Sequence, residues 1–177
     1  MNFDDLVDID NEFDVLDELE DLFENISIDE PTKEQIDEMY AVFLDDIVRN
    51  PIIIKGLALK SNRNKSRHPV CKGKSQGFEH IITRESKHSG RRNFDKERAN
   101  KIHWIKPVIE NVADVRIKYF EKINDKRKNQ LFYWFDEKNF IVIIREVNPD
   151  LMLITAYSVD NGNRNQFKRD YEAYKKF

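Results

Sequence analysis

A chain of 177 residues with 40% hydrophobic side chains, 5 glycines and 5 prolines is long enough for one folded core, which excludes a low-complexity protein. No apolar run reaches the roughly 18 residues of a membrane-spanning helix, and the acidic start MNFDDLVDID is unlike a signal peptide. The single cysteine, Cys71, excludes an intramolecular disulfide and fits a reducing compartment. We therefore expect a cytoplasmic protein with one main domain.

Charge is divided unevenly along the chain. Residues 1–50 hold 18 acidic and 2 basic side chains, a net charge of −16, whereas residues 51–177 hold 28 basic and 15 acidic side chains, a net charge of +13. Such asymmetry is typical of a polyanion-binding domain with an acidic part that solvates, repels or imitates the polyanion. We therefore predict an acidic helical extension over 1–50 and a basic domain over 51–177.

The acidic segment carries two apolar stripes at helical spacing. The first stripe consists of Leu6, Ile9, Phe13, Leu16, Leu19 and Phe23. The second follows a predicted capping box at Thr32 and Gln35, ends near Asn50, and consists of Ile36, Tyr40, Phe43 and Ile47. Two helices that bury these stripes against each other would form a helical hairpin.

The basic part begins with a predicted strand and a loop. The stretch IIIKGLAL at 52–59 is typical of a short strand, and SNRNKSRHPVCKGKSQG after it is polar, basic and rich in loop-forming residues. Ser75 is a candidate N-cap for a helix over 76–86.

Asn93 or Asp95 is predicted to begin a longer helix that runs to about residue 111 and is kinked or divided by Pro107. The period then changes to two, and short turns separate four predicted strands: VRIKYFEKI, QLFYWFD, NFIVIIREV and LMLITAYSV. A basic helix from about Arg164 follows. The sequence predicts an α+β fold with N-terminal helices, a four-stranded antiparallel meander and a C-terminal helix. One sheet face should pack on the long helix, and the other should be partly open for ligands.

His80 and Arg84 are the first candidate site residues. In a helix over 76–86 they would project from one face, because they are four residues apart. A near-neutral imidazole can transfer a proton, and a guanidinium beside it stabilises phosphate charge, so the pair could cleave RNA without a metal. The alternative is that His80 is a hydrogen-bonded residue at the edge of the core.

Three residues of the predicted sheet complete the candidate site. Thr155 and Tyr157 share one face of the last strand by alternation and could position a phosphate or the imidazole, although both residue types are also common in strands for packing alone. Arg145 follows five apolar residues and is either a second phosphate ligand or the partner of a carboxylate.

Other residues are weaker candidates. Five loop cations could contact a nucleic-acid backbone or simply be solvated: Arg63, Lys65, Arg67, Lys72 and Lys74. Three aromatic side chains could stack on bases or belong to the core: Trp104, Tyr133 and Trp134. Four residues are of types that bind zinc: His68, Cys71, His80 and His88. Their spacing matches no common closed zinc site, so we expect neither a metal nor a cofactor.

The order of GFEHIITRES, FDKERANKIHWIKPVIEN, FIVIIREV and LMLITAYSVD followed by FKRDYEAYKK resembles the phage-type nucleases of the barnase, EndoU, colicin and RelE superfamily, over about residues 75–177. The resemblance implies a helix-then-antiparallel-sheet fold and metal-independent cleavage of RNA to a 2′,3′-cyclic phosphate, in toxin-like or phage–host conflict roles. The resemblance makes His80 the helix histidine and makes Arg84 and Arg145 the phosphate ligands. Thr155, with Tyr157 beside it, would supply the hydroxyl of the final strand. Glu85 stands where a second histidine is expected.

We therefore expect a metal-independent endoribonuclease, with transfer RNA among its candidate substrates, that is restrained by its acidic N-terminal segment. One alternative is an inactive nuclease fold that acts as a phage-encoded inhibitor and binds a host protein through residues 1–50. Another is a nucleic-acid-binding module without turnover, for which strong salt dependence without cleavage would be the mark.

Overall fold

The computed structural model describes residues 13–24, 26 and 30–177 and has the predicted α+β class. Its α-helices in these residues are α1 (Lys33–Phe43), α2 (Gln76–Ile82), α3 (Lys96–Asn100), α4 (Ile105–Glu110) and α5 (Asn161–Lys175). Its strands are β1 (Ile53–Ile54), β2 (Leu57–Lys60), β3 (Thr83–Glu85), β4 (Arg92–Phe94), β5 (Ile117–Ile123), β6 (Asn129–Phe135), β7 (Phe140–Val147) and β8 (Asp150–Ser158).

Six of these strands form one curled sheet in the order β1-β2-β8-β7-β6-β5. Strands β5 to β8 are the predicted antiparallel meander, and β2 joins β8 in parallel. The curl brings the two ends of the strand order together, because Lys55 Nζ donates to Glu121 Oε1 at 3.1 Å. The single strand predicted over 52–59 is instead a hairpin, since Lys55 (φ 51°) and Gly56 (φ 79°) form a left-handed turn between β1 and β2.

The second predicted helix of the acidic segment is confirmed. Thr32 Oγ1 accepts from the Gln35 amide at 3.1 Å, and Gln35 Oε1 accepts from the Thr32 amide at 2.9 Å, which is the predicted capping box. Helix α1 then continues as a π-helical segment over Leu44–Arg49, so the whole helical stretch ends next to Asn50 as predicted.

The prediction of a helical hairpin is wrong for the described part of the first stripe. Residues 13–24 contain a turn and no helix, and Leu16 and Leu19 are buried in the main core. Apolar side chains that reach the main core gain more burial there than a second helix could offer them. The stripe positions Leu6 and Ile9 lie outside the described residues.

The prediction of a helix over 76–86 needs correction at its C-terminal end. Ser75 Oγ caps α2 as expected, by accepting from the Phe78 amide at 3.3 Å. However, α2 ends at Ile82, and the next three residues form β3, which pairs with β4 as a separate two-stranded ribbon. His80 and Arg84 therefore do not share a helix face.

The predicted long helix is also divided. Asp95, not Asn93, is its N-cap, because Asp95 Oδ1 accepts from the Arg98 amide at 3.0 Å and Asn93 lies in β4. A 3₁₀ turn over Ile102–Trp104 separates α3 from α4, so the break precedes Pro107 rather than falling on it. Pro107 is in the first turn of α4, where a missing amide proton costs little.

Two apolar clusters lie on opposite faces of the sheet. The larger one joins the sheet to α1, α2 and α4. In the smaller one, Phe167 of α5 packs against Phe120, Phe132 and Trp134, so α5 covers much of the face that was predicted to be partly open. The candidate stacking residues Trp104, Tyr133 and Trp134 are 5%, 3% and 1% exposed, which makes them core residues and not base platforms.

The acidic segment and the basic part share the larger cluster. The segment contributes Leu16, Leu19, Ile26, Ile36, Met39, Phe43 and Ile47. The core is therefore continuous across the predicted boundary at residue 50. None of the helices in the described part of the chain is long and apolar enough to cross a membrane.

Candidate nucleic-acid interface

The candidate interface is built around Thr83, where α2 ends and β3 begins. The buried Thr83 hydroxyl donates to the Glu79 carbonyl at 2.6 Å and accepts from Arg92 Nε at 2.8 Å. Its carbonyl accepts from Arg92 Nη2 at 2.9 Å and from Arg98 Nη1 at 3.0 Å. Two guanidinium groups are therefore fixed on one backbone carbonyl.

Arg98 is a site residue that the sequence did not single out. Its Nη1 also donates to Thr155 Oγ1 at 3.3 Å, and its guanidinium carbon lies 5.1 Å from the centre of the Tyr157 ring. The side chain is only 15% exposed, and burial lowers the pKa of Arg98, although arginine still keeps its charge at neutral pH. In the sequence, DKERAN is typical of an ordinary charged helix start. The candidate N-cap Asp95 was the only local signal near Arg98.

A cleft of about 410 Å³ opens beside Arg98, at the N-terminus of α5. Arg84 and Tyr157, two of the predicted site residues, line it together with Arg98. Three acidic side chains are also in the lining: Asp95, Glu97 and Asp160. The cleft therefore has mixed charge, and its cations lie on the side formed by α3 and β3.

His80 is exposed on α2 and does not line this cleft. Its carbonyl accepts from Arg92 Nη2 at 3.4 Å, so the backbone of α2 lies against Arg92 at this residue. Although the side chain is exposed overall, partial burial and then the charge of Arg92 lower the pKa of His80 below its usual value. At pH 7 the imidazole is neutral and can accept a proton.

Arg145 shares a sheet face with Thr155 and Tyr157 but is distant from the cleft. It pairs with Met152, whereas Tyr157 pairs with Ile141, four residues back along β7. This separation is roughly 13 Å along the strand. Arg145 Nε is buried and has no hydrogen-bond partner among the described residues. The structure thus brings together Arg84, Thr155 and Tyr157 around Arg98, and neither His80 nor Arg145 lines the cleft.

The basic loop, residues 60–75, lies next to the ribbon formed by β3 and β4, residues 83–94. Four of its predicted contacts have exposed side chains that form no hydrogen bond or ion pair with any residue that the structure describes: Arg63, Lys65, Arg67 and Lys72. Lys74 differs, because its Nζ is 2.9 Å from Asp37 of α1 and lies over the Tyr40 ring. Because of that ion pair, Lys74 is not a free phosphate ligand.

The residues of zinc-binding type have other roles in the structure. His68 Nε2 is 2.6 Å from the Arg92 carbonyl, and His68 Nδ1 accepts from the Val70 amide at 3.2 Å, so both ring nitrogens are used. Cys71 is buried, and burial raises the pKa of its thiol to about 12. Across the described residues, no three His, Cys, Asp or Glu side chains are grouped to hold a metal ion.

Residues 13–24 of the acidic segment contact cations outside the interface, whereas Asp37 pairs with Lys74 of the basic loop. Arg116 binds Asp14 and Asp17 at 2.8 Å each, and Lys138 Nζ donates to the Asp17 and Leu19 carbonyls. No hydrogen bond or ion pair joins residues 13–24 to Arg84, Arg92 or Arg98. Within its described residues, the segment therefore leaves the arginine pair uncovered.

No family model, curated protein or solved structure matches the chain. The resemblance to phage-type nucleases stays a prediction, and functional inference rests on the geometry of the interface.

Proposed function

We propose that the protein binds RNA at a cationic surface formed by the basic loop and the ribbon. The observation that carries this proposal is the fixation of Arg92 and Arg98 on the Thr83 carbonyl. Two like charges are held side by side there, with the Asp95 carboxylate 3.9 Å from Arg98 Nε, and a phosphate that binds at Arg92 and Arg98 would add a second negative partner. Because the guanidinium groups are already oriented, they lose little conformational entropy on binding.

The charge around this pair supports the same proposal. Residues 60–98 hold 12 basic and 4 acidic side chains, which is most of the positive surplus of the basic part. On the ribbon, Arg84, Lys87 and Arg91 are exposed and have no ion pair in the described structure. With the four free cations of the basic loop, they make seven candidate phosphate contacts. The proposal places the protein in the cytoplasm, where RNA is available and Cys71 stays reduced.

Substitution of one exposed cation tests the proposed binding. Arg84→Ala should weaken RNA binding by the full chain several-fold and reduce the salt dependence by about one counterion, because one phosphate contact is lost. Lys168→Ala on α5 is the matched control, since Lys168 is also exposed and unpaired within the described chain. Failure of the full chain to bind RNA at low salt, or equal effects of both variants, would contradict the proposal.

RNA cleavage at the same surface is the second candidate function, and the state of His80 favours it. His80 carries a neutral, exposed imidazole, and its backbone carbonyl accepts from Arg92, so the imidazole can take the proton of a 2′-hydroxyl near that guanidinium. The 2′-oxygen would then bond to the adjacent phosphorus while the bond to the 5′-oxygen breaks, and the arginines would stabilise the added negative charge. The leaving 5′-oxygen would take its proton from solvent, because Tyr157 lines the cleft and His80 does not.

Incubation of the full chain with total and transfer RNA in EDTA tests cleavage. Products ending in a 2′,3′-cyclic phosphate, lost in His80→Ala while RNA binding persists, would support it. The cleavage rate should persist as the pH falls below 6.5, because the pKa of His80 is lowered from that usual value. RNA that stays intact, or cleavage unchanged in His80→Ala, would reject the chemistry and leave the binding proposal standing.

A further inference from the structure

We propose that the cationic surface takes base-paired RNA and holds it through the phosphates of a duplex, not through unstacked bases. This inference rests on the proposed function, because it names the form of RNA that the same surface binds.

Residues 60–98 carry no exposed Phe, Tyr or Trp side chain of the kind that single-strand binding uses. Proteins that hold single strands stack bases on exposed aromatic side chains along a cationic groove. In residues 60–98 the aromatic side chains of Phe, Tyr and Trp type are Phe78, which is buried, and Phe94, which is half-buried. The three aromatic residues that the sequence offered as platforms lie in the core. Recognition is therefore left to charges and backbone shape.

The basic loop holds its cations on a fixed frame. The Ser66 amide donates to the Lys74 carbonyl at 2.7 Å, the Gln76 amide to the Asn64 carbonyl at 2.7 Å and the Gly77 amide to the Asn62 carbonyl at 3.0 Å. The buried Ser66 hydroxyl donates to Glu79 Oε2 at 2.9 Å. A duplex presents phosphates at regular spacing, so cations whose backbone positions are fixed can match it at a smaller ordering cost.

The loop and the ribbon form one continuous surface because His68 joins them. Its ring lies between the Val70 amide of the loop and the Arg92 carbonyl of β4. The backbone positions of the cations on both sides of this ring are therefore fixed relative to one another, and one ligand can contact both groups.

The ribbon has the form and charge to enter a groove. Residues 87–91 at its tip are all exposed, and Gly90 (φ +67°) makes the turn. Lys87 and Arg91 stand at this tip, and the opposing strands carry one acidic side chain, Glu85. The minor groove of an A-form duplex is wide and shallow, so a two-stranded ribbon can lie in it while loop cations contact the flanking phosphates.

The test compares RNA forms of one sequence. Fluorescence anisotropy would measure binding of the full chain to a 20-base-pair RNA duplex, to each of its strands and to the matching DNA duplex, in EDTA at several KCl concentrations. The strand sequences are chosen so that a single strand does not pair with itself. RNA integrity is checked after each titration to exclude cleavage. We expect the duplex RNA to bind at least tenfold more tightly than either strand. Its affinity should fall by about 10³-fold or more between 50 and 200 mM salt if the seven cations engage phosphates.

A double variant locates the contact. Lys87→Ala with Arg91→Ala should weaken duplex binding at least tenfold. Lys168→Ala in α5 with Lys176→Ala at its C-cap removes the same charge from exposed positions elsewhere and should have little effect. Equal or tighter binding of a single strand would overturn the duplex inference and leave the proposed function intact. Tighter binding of the DNA duplex would overturn the assignment to RNA. Failure to bind any RNA would remove the proposed function as well.

Discussion

Thr83 is the residue that determines the geometry of the arginine pair. It is fully buried, and its hydroxyl both donates to Glu79 and accepts from Arg92. A side chain of the same shape without the hydroxyl would leave Arg92 Nε without its partner, and the guanidinium could turn away from the carbonyl.

Thr83→Val should therefore lower the free energy of unfolding by about 1–3 kcal/mol, because one buried bond to a charged group and one to a carbonyl are lost. RNA affinity should fall along with it. Thr83→Ser keeps the hydroxyl and should retain more of the affinity. Chemical denaturation and RNA titration of both variants would measure this, and a Thr83→Val protein with unchanged affinity would contradict the role given to this hydroxyl.

Arg116 binds the acidic segment through carboxylates whose contribution depends on pH. Its hydrogen bonds lower the pKa of Asp114 from its usual 3.8 to about 2, and they also lower the pKa of Asp14. A carboxyl whose pKa is depressed in the folded state stabilises the protein above its unfolded pKa, and this contribution is lost as the pH falls through the folded value. The loss therefore occurs between about pH 4 and pH 2.

Arg116→Gln should lower the melting temperature most above pH 4, and its difference from the parent protein should shrink towards pH 2. Thermal unfolding at steps between pH 7 and pH 2 would measure this. Arg49→Gln is the control, because Arg49 pairs only with the exposed Asp45 within the described residues. A difference that stays constant with pH would show that the carboxylates are not the partners that matter.

At the scale of elements, α2 illustrates what local patterns could and could not predict. Its N-cap at Ser75 follows from residue type, and the capping box of α1 follows in the same way. The change from helix to strand after Ile82 depends on pairing with β4, ten residues later in the chain. Non-local pairing of this kind has no signature in a short window, so Arg84 was placed on the wrong element.

The packing of α2 on the basic loop gives a test at this scale. An added Cβ at Gly77 would lie 3.0 Å from Ser61 Cβ and 3.1 Å from the backbone of Asn62. Gly77→Ala should therefore destabilise the protein, although alanine usually favours a helix over glycine by about 1 kcal/mol. Gly162→Ala in α5 has room and should be neutral or stabilising. Denaturant unfolding of both variants would measure this, and similar effects at both sites would contradict the close packing.

At the scale of the whole molecule, period and turn spacing were enough to predict the meander and the α+β class. The sharing of one core by the acidic and basic parts was not predictable, because charge counts describe surfaces whereas Leu16 and Leu19 are buried. The candidate site could be predicted only in part, because residue types do not show which side chains the fold brings together. Residue types suggested Arg84, Thr155 and Tyr157, but Arg98 joins them only through tertiary contacts.

Truncation of one buried side chain tests that shared core. Leu16 is 1% exposed, so Leu16→Ala should lower the free energy of unfolding of the whole protein by about 2–5 kcal/mol. Phe13 is 77% exposed, and Phe13→Ala should change it by less than about 0.5 kcal/mol. Urea unfolding would measure both changes. A stable Leu16→Ala protein would instead favour an acidic extension that is independent of the basic part.

The central claim is that residues 60–98 are the surface on which RNA lies. Ultraviolet cross-linking of the full chain to bound RNA, followed by mass spectrometry of the linked peptides, tests it most directly. Cross-links should fall in the basic loop, the ribbon and α3. Cross-links confined to α1, to α5 or to the sheet end around Lys55 would contradict the claim.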